Sequence, residues 1–370
     1  MITLAYLTCV HGEKQTNPRI ETDLVNRDDA DIVSASALFK KGNILQIYIL
    51  LTENCNLNCA MCIRGKQQGI QMDIAKLQEV IEKNNLNSHD IVLTGGEPTL
   101  QRKFIEIVRL MCSKAKTVTV TSNGTNDLHV KELREFQNLY YQISLDGDAE
   151  AHNRIRGKNA YERTWSNLLQ LDHAKSRYSV ASVVSNKNKT EIFNLIPELC
   201  QLSHMRYWRI SYEMPFGSAG FENMMSADEW NAFVTELLHK ANFKVKIQKI
   251  FPFDLYDQRR EELEQLSTGH FRSINCGSGK NKIYVYPDFK VYPCTCLTDF
   301  CVGKLDKQTL EEILVDNPIQ QFTDYKLLED AECIDCEYKK YCNGGCIGMS
   351  YHFFGKLGMG DKRCPKLNVK

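Results

Sequence analysis

The stretch "LTENCNLNCAMC", residues 51–62, decides the fold. It sets Cys55, Cys59 and Cys62 at C-x3-C-x2-C spacing, with asparagines between them, directly behind the apolar run "ILQIYILL" (44–51). A short apolar run that ends in a turn-rich loop reads as a buried strand. The unit then repeats. "MDIAKLQEVIEKN" (72–84) has helical periodicity. "DIVLT" (90–94), "TVTVTS" (117–122), "LYYQISL" (139–145), "YSVASVV" (178–184) and "RYWRISYE" (206–213) read as strands, with helical segments near 101–114, 128–137, 160–175, 190–202 and 226–241. Such alternation requires parallel strands joined by helical crossovers. Six units predict an α/β fold, a partial (β/α)6 TIM-like barrel, whose site lies at the C-terminal ends of the strands. The cysteine loop sits at that end.

Composition narrows the field. The 370 residues suffice for a large domain and a smaller one. Lys+Arg and Asp+Glu both number 46, so the chain lacks the basic field of a nucleic-acid binder. No apolar stretch reaches the ~20 residues of a membrane span. The start "MITLAYLTCVHGEK" has no basic leading region and no small-residue cleavage site, so it reads as a buried strand and not as a signal peptide. Fifteen cysteines, an odd number, cannot all pair within one chain. A cytoplasmic, reducing location is the expectation, and disulfides are rare there, so metal is the first use for the thiols. Cys112 and Cys200 fall in helix-like segments as inert thiols, and Cys9 stands apart. The other twelve form two groups, 55–62 and 276–364.

Structural zinc takes four ligands, often from two C-x2-C pairs. The first loop offers three cysteines and no nearby fourth Cys or His. Three thiolates suit a 4Fe–4S cluster with one open iron that can take a chelating ligand. This triplet, behind the first strand of a partial barrel, resembles that of the radical S-adenosylmethionine (SAM) enzymes. In that family SAM chelates the open iron and is cleaved to a 5′-deoxyadenosyl radical that abstracts a substrate hydrogen. Met61 stands where the family often has an aromatic residue, and a thioether can also pack on adenine. The resemblance extends along the barrel. In "TGGEPTL" (94–100), Gly95, Gly96, Glu97 and Pro98 match the motif that grips SAM's methionine amine. In "TSNGT" (121–125), Ser122 and Asn123 match the polar turn beneath SAM. In "SLDGDAEAHNRIRG" (144–157), the resemblance gives Ser144 a bond to SAM, and gives Arg154 or Arg156 its carboxylate or a role in holding the loop.

From about residue 265 the pattern changes. "KIYVYPDFKVYPC" (282–294) reads as a β-hairpin, and the remainder of the chain is short and cysteine-rich. Such a segment has little core, so metal organises it. It resembles the SPASM domain, which holds two auxiliary iron–sulfur clusters, expected to be 4Fe–4S. The resemblance gives the outer cluster Cys333, Cys336, Cys342 and Cys364. It gives the inner one Cys276, Cys294 and Cys346, with Cys296 or Cys301 as candidates to close it, or with the fourth iron left open to a substrate atom. Phe289 replaces the usual hairpin glycine, so the turn is expected to differ. The expected division is an N-terminal extension (1–44), the radical SAM barrel (45–265) and the SPASM domain (266–370).

The resemblance implies an enzyme acting on a ribosomally made precursor peptide, forming a thioether, carbon–carbon or ether crosslink. Small-molecule dehydrogenation or epimerisation, and formylglycine maturation of sulfatases, remain open, as does a metal-binding scaffold without catalysis. Expected partners are the precursor peptide and an electron donor such as flavodoxin or ferredoxin, with leader recognition by the barrel face, by residues 1–44 or by a separate leader-recognition protein.

Overall fold

The computed structural model describes residues 6–8, 21–22, 45–65, 69–248, 250–258, 260–261, 279 and 281–367. Its frame is one twelve-stranded sheet. In chain order the strands are β1 (Tyr6–Thr8), β2 (Glu21–Thr22), β3 (Gln46–Leu50), β4 (Asp90–Thr94), β5 (Thr117–Ser122), β6 (Leu139–Ser144), β7 (Tyr178–Val184), β8 (Met205–Tyr212), β9 (Val245–Gln248), β10 (Lys282–Val285), β11 (Lys290–Tyr292) and β12 (Gly303–Lys304). They lie in the order β12-β11-β10-β3-β4-β5-β6-β7-β8-β9-β1-β2.

The six expected strands are β3 to β8, all parallel and adjacent in chain order. Helices Ile74–Lys83, Phe104–Lys114 and Ala160–His173 cross between them, and Ala227–Lys240 leads on from β8 to β9. The sheet continues beyond the six. At one edge β9 pairs in parallel with β8, carrying Val245 and Ile247, both fully buried. At the other, β10 pairs in parallel with β3. The open order leaves the barrel partial, with both flanks extended by antiparallel strands. Most of the N-terminal extension and Cys9 lie outside the described residues.

The hairpin is thus part of the barrel's own sheet. Tyr48 of β3 and Tyr284 of β10 stack at 4.6 Å between ring centroids. The hairpin turn departs from expectation: Phe289 adopts φ +65°, the left-handed conformation a glycine would take. Its N–H donates to the Tyr286 carbonyl at 2.8 Å. The ring is 3% exposed and lines a small apolar cavity with Ile49, Val285, Leu305 and Leu310. Left-handed backbone costs a non-glycine residue about 1–2 kcal/mol, and burying a phenylalanine ring returns about 1.5–3 kcal/mol. The turn is therefore kept, and packing compensates the strain.

Behind the hairpin come short helices, Leu310–Val315, Asn317–Thr323, Lys339–Cys342 and Ile347–Phe354. Asn84, which ends the first crossover helix, accepts from the Leu310 N–H at 2.7 Å. Helix Phe253–Gln258 packs Phe253 and Tyr256 on Tyr338 and Tyr341, beside Cys336. No helix among the described residues is long and apolar enough to cross a membrane.

Candidate active site

Three loops meet behind β3, β4 and β5. The segment from Thr52 to Asn54 is bonded to the loop after β4: the Gly96 N–H donates to the Thr52 carbonyl and the Glu97 N–H to the Asn54 carbonyl, both at 2.8 Å. The approach explains both glycines. A Cβ on Gly95 would stand 2.4 Å from the Thr52 oxygen, and one on Gly96 2.4 Å from the Asn54 oxygen. Here the glycines serve contact between two segments of the chain. That contact fixes the base of the cysteine loop.

Glu97 is completely buried. Its Oε1 accepts from the Thr99 hydroxyl at 2.8 Å, the Thr99 N–H at 3.2 Å and the Ser122 hydroxyl at 2.9 Å. Its Oε2 accepts from the Asn123 N–H at 2.8 Å. Burial raises its pKa against these donors. One carboxylate thereby clamps the ends of β4 and β5 together. Pro98 opens the 3-10 turn Pro98–Leu100 that Glu97 caps.

The asparagines of the cysteine loop find partners across the sheet. Asn123 Nδ2 donates to Asn56 Oδ1 at 3.0 Å and approaches Cys55 Sγ at 3.9 Å. Asn56 Nδ2 donates to the Thr125 hydroxyl at 2.8 Å and to Asn126 Oδ1 at 3.2 Å. Asn126 in turn reaches the Thr99 hydroxyl. Asn56, Thr125 and Asn126 had no assigned role in the sequence; the contacts of Asn56 bridge 69 and 70 positions, and no local spacing announces them.

The helix Ala149–Arg156, unforeseen in the sequence, lies against the loop's other side, and its Ile155 carbonyl accepts from the Ala60 N–H at 3.3 Å. This helix separates the two candidate arginines. Arg154 faces outward, bonded to the Lys187 carbonyl and Glu191. Arg156 is nearly buried and pairs with the fully buried Asp146. Burial opposes its charge, and Asp146 more than offsets that, so its pKa is raised. Asp146 also accepts from the Val183 N–H at 2.7 Å. His152 is fully buried beneath it, with its pKa lowered to about 4 by burial. Ser144 ends β6 opposite Ala181, and Met61 is half-buried in the loop.

Cys55 is exposed, and Cys59 and Cys62 are partly so. Burial raises the Cys55 pKa, and it pushes Cys59 up to about 11, where Arg156 pulls down and Asp146, Cys55 and Cys62 push up. The three thiols thus sit within each other's electrostatic reach, beside one buried cation. The loop is roofed by 214–220: the Ser218 N–H donates to the Cys62 carbonyl at 2.8 Å, and a Cβ on Gly217 would meet that oxygen at 2.3 Å. Arg64 packs over the Tyr286 ring at 5.1 Å, tying the loop to the hairpin.

In the tail, Cys333, Cys336, Cys342 and Cys364 also influence each other's charge, and burial pushes Cys342 up to about 12. A Cβ on Gly360 would stand 2.8 Å from Cys333 Sγ. Cys294, Cys296 and Cys346 form a second neighbourhood, while Cys301 is exposed beside Tyr292 and Lys290. Cys276 lies outside the described residues. Among the described residues no three ligating side chains already converge around an ion position. The donor chemistry fits iron–sulfur clusters all the same: thiols in three groups, with glycine where a side chain would crowd the sulfur.

A buried ion pair joins tail to barrel. Arg363 bonds both oxygens of Asp361, at 3.0 and 2.6 Å, reaches Met214 Sδ at 3.3 Å and lies over the Tyr212 ring. Asp361 Oδ2 also accepts from the Cys346 N–H at 3.1 Å.

Comparison with known proteins agrees with this geometry. The profile of the radical SAM superfamily matches residues 49–192, and that of SPASM, an iron–sulfur cluster-binding domain, matches 276–337. The sporulation killing factor maturation protein SkfB of Bacillus subtilis (strain 168) is 27% identical over 270 residues, 71% of this chain; the match spans 63% of SkfB. A cysteine-type anaerobic sulfatase-maturating enzyme of Clostridium novyi (strain NT) is 25% identical over 332 residues, covering 80% of this chain and 85% of that protein. The crystal structure of Streptococcus suis SuiB bound to precursor peptide SuiA shares the fold, with a TM-score of 0.72 at 16% identity, over 89% of this chain and 78% of SuiB.

Proposed function

The chain belongs to the radical SAM superfamily and carries a C-terminal SPASM domain, and from that premise we propose that this enzyme crosslinks a ribosomally made precursor peptide. Cys55, Cys59 and Cys62 would hold the 4Fe–4S cluster that binds SAM. Bound together, cluster and SAM would supply the radical chemistry that removes a hydrogen atom from the substrate. The chain's own groups position and shield that chemistry. Asn123 and Asn56 brace the loop behind Cys55. Glu97 holds β4 and β5 in register, and its Oε2, with one protein donor, is the acceptor assigned to SAM's ammonium. Arg156, not Arg154, is the cation assigned to the site. Loop 214–220 braces the Cys62 backbone from above.

One observation carries the peptide reading. Phe221, 44% exposed, packs at a tilt on Phe353 at 4.9 Å and His352 at 5.3 Å, and His352 also meets Phe216. This aromatic face directly adjoins the loop that roofs Cys62. It suits the side chains of a peptide better than a small polar metabolite. SkfB's naming as a maturation protein and SuiB's complex with a precursor peptide support the same reading. The sulfatase-maturating relative keeps formylglycine formation as the second reading.

The test is incubation of the anaerobically reconstituted enzyme with SAM, reductant and candidate precursor peptides drawn from short reading frames beside its gene. A product lighter by two hydrogens, with fragmentation blocked between two residues, is expected. An unmodified peptide, together with conversion of a sulfatase Cys or Ser peptide to formylglycine, would replace this reading with the second.

A further inference from the structure

The SPASM resemblance leaves the inner auxiliary cluster one thiolate short, with Cys296 and Cys301 both nearby. The structure separates them. An extended strand would have carried Cys296 past Cys294, but β11 ends at Tyr292 and the chain turns. The Leu297 N–H donates to the Cys294 carbonyl at 3.1 Å, closing a four-residue turn. Inside it, the Cys296 N–H points at Cys294 Sγ at 3.4 Å. The same motif occurs in the first cysteine loop, where the Leu57 N–H points at Cys55 Sγ at 3.5 Å. Backbone donors directed at a sulfur favour its thiolate form and tune a cluster built on it.

Cys346 precedes the helix Ile347–Phe354, and the turn is fastened to that helix. The Tyr351 hydroxyl donates to Asp299 at 3.0 Å, and the Tyr351 ring meets Phe300 at 4.8 Å. Gly348 marks the meeting point: a Cβ there would lie 3.2 Å from Cys296 Cβ and 3.7 Å from Cys346 Sγ. Both cysteines therefore border one spot where the chain carries no side chain. Cys301 faces elsewhere. Its thiol reaches the Gly303 carbonyl at 3.4 Å, and its neighbours are pinned, Phe300 by packing against the core and Val302 through its N–H to the Val291 carbonyl at 2.8 Å. A swing of Cys301 towards Cys346 would break that ladder.

We infer that Cys296 is an iron ligand of the inner auxiliary cluster, alongside Cys294 and Cys346, and that Cys301 is not. This rests on the SPASM cofactor assignment and not on the identity of the substrate. A thiolate from Cys296 fills a coordination position that would otherwise stay open to a substrate atom. It suits the inner cluster to passing electrons, not to holding substrate.

The experiment uses the full-length chain with Cys55, Cys59 and Cys62 replaced by alanine, so that all iron is auxiliary. After anaerobic reconstitution, iron content and Mössbauer spectra are compared for this background and for added Cys296→Ala or Cys301→Ala, with and without imidazole. Cys296→Ala is expected either to lose one of two clusters, or to keep it with an iron whose spectrum now shifts with imidazole. Cys301→Ala is expected to match the background. Cys296→Ser, which retains a ligating oxygen, should keep its iron with an altered spectrum, and it decides the matter if the alanine variant does not fold. Full iron with an unaltered, imidazole-insensitive spectrum in Cys296→Ala or Cys296→Ser overturns the inference, as does loss confined to Cys301→Ala. A background chain without auxiliary iron overturns the cofactor assignment and this ligand with it, whereas failure to modify a peptide touches neither.

Discussion

Glu97 offers the sharpest separation of a structural role from a binding one. Replacing it with glutamine leaves one acceptor oxygen and adds two donors. If the amide takes the Oε2 position, it faces the Asn123 N–H, which then has no acceptor; if it takes Oε1, the Thr99 N–H is stranded and the hydroxyl hydrogens of Thr99 and Ser122 lose their acceptor as well. The first arrangement strands a single donor and is the cheaper, and one stranded buried donor costs about 1–3 kcal/mol. Part of this is recovered because burial already disfavours the Glu97 charge. Glu97→Ala strands both N–H groups and opens a cavity, so it should cost at least twice as much. SAM affinity should fall further in Glu97→Gln than stability does, by about ten- to a hundred-fold, because a charge-assisted bond to an ammonium is worth about 1.5–3 kcal/mol. Urea unfolding gives the first quantity, hydrogen exchange at 120–125 locates it, and equilibrium SAM binding gives the second. Unchanged SAM affinity in Glu97→Gln would refute the ammonium contact. Equal stability of the glutamine and alanine variants would refute the clamp.

Phe289→Ala keeps the left-handed strain and loses the buried ring, so it should cost about 3–5 kcal/mol, with Phe289→Gly milder by the strain relieved; the urea midpoints of the two variants check the order. Arg363→Met leaves Asp361 buried and unpaired, at a cost of about 3–5 kcal/mol, and should loosen residues 345–364 in hydrogen exchange while the parallel strands stay protected. Cys336→Ala, or iron removal by a chelator, should lower protection across the tail before the barrel, because the tail's own core is small; equal protection with and without iron would contradict this.

Much of this architecture is legible in the sequence, for a physical reason. Parallel strands are covered on both faces, so β3 to β8 appear as compact apolar runs, and their bounds fall within two residues of expectation. β9 was legible too, in the alternation of Val245 and Ile247 with Lys246, but four residues behind a long helix look like a linker. The helix Ala149–Arg156 hides because it is mostly polar; Asp148, which caps it through the Ala151 N–H, is its one local signal. The cysteine spacing announced the site's chemistry. It could not announce that Gly95 and Gly96 pack on the loop of Thr52 and Asn54, that Glu97 is bonded by its own chain, or that Arg156 rather than Arg154 turns inward. Those depend on contacts between strands far apart in sequence. The same holds for Cys296, whose place is set by a turn where a continued strand was the simpler extrapolation.

The most direct test of the account is release of 5′-deoxyadenosine from SAM by the anaerobically reconstituted, reduced enzyme. The wild-type chain should release it, and replacement of Cys55, Cys59 and Cys62 by alanine should abolish release while most auxiliary iron stays bound. Undiminished release from that variant, or none from a wild-type chain holding all its iron, would contradict it.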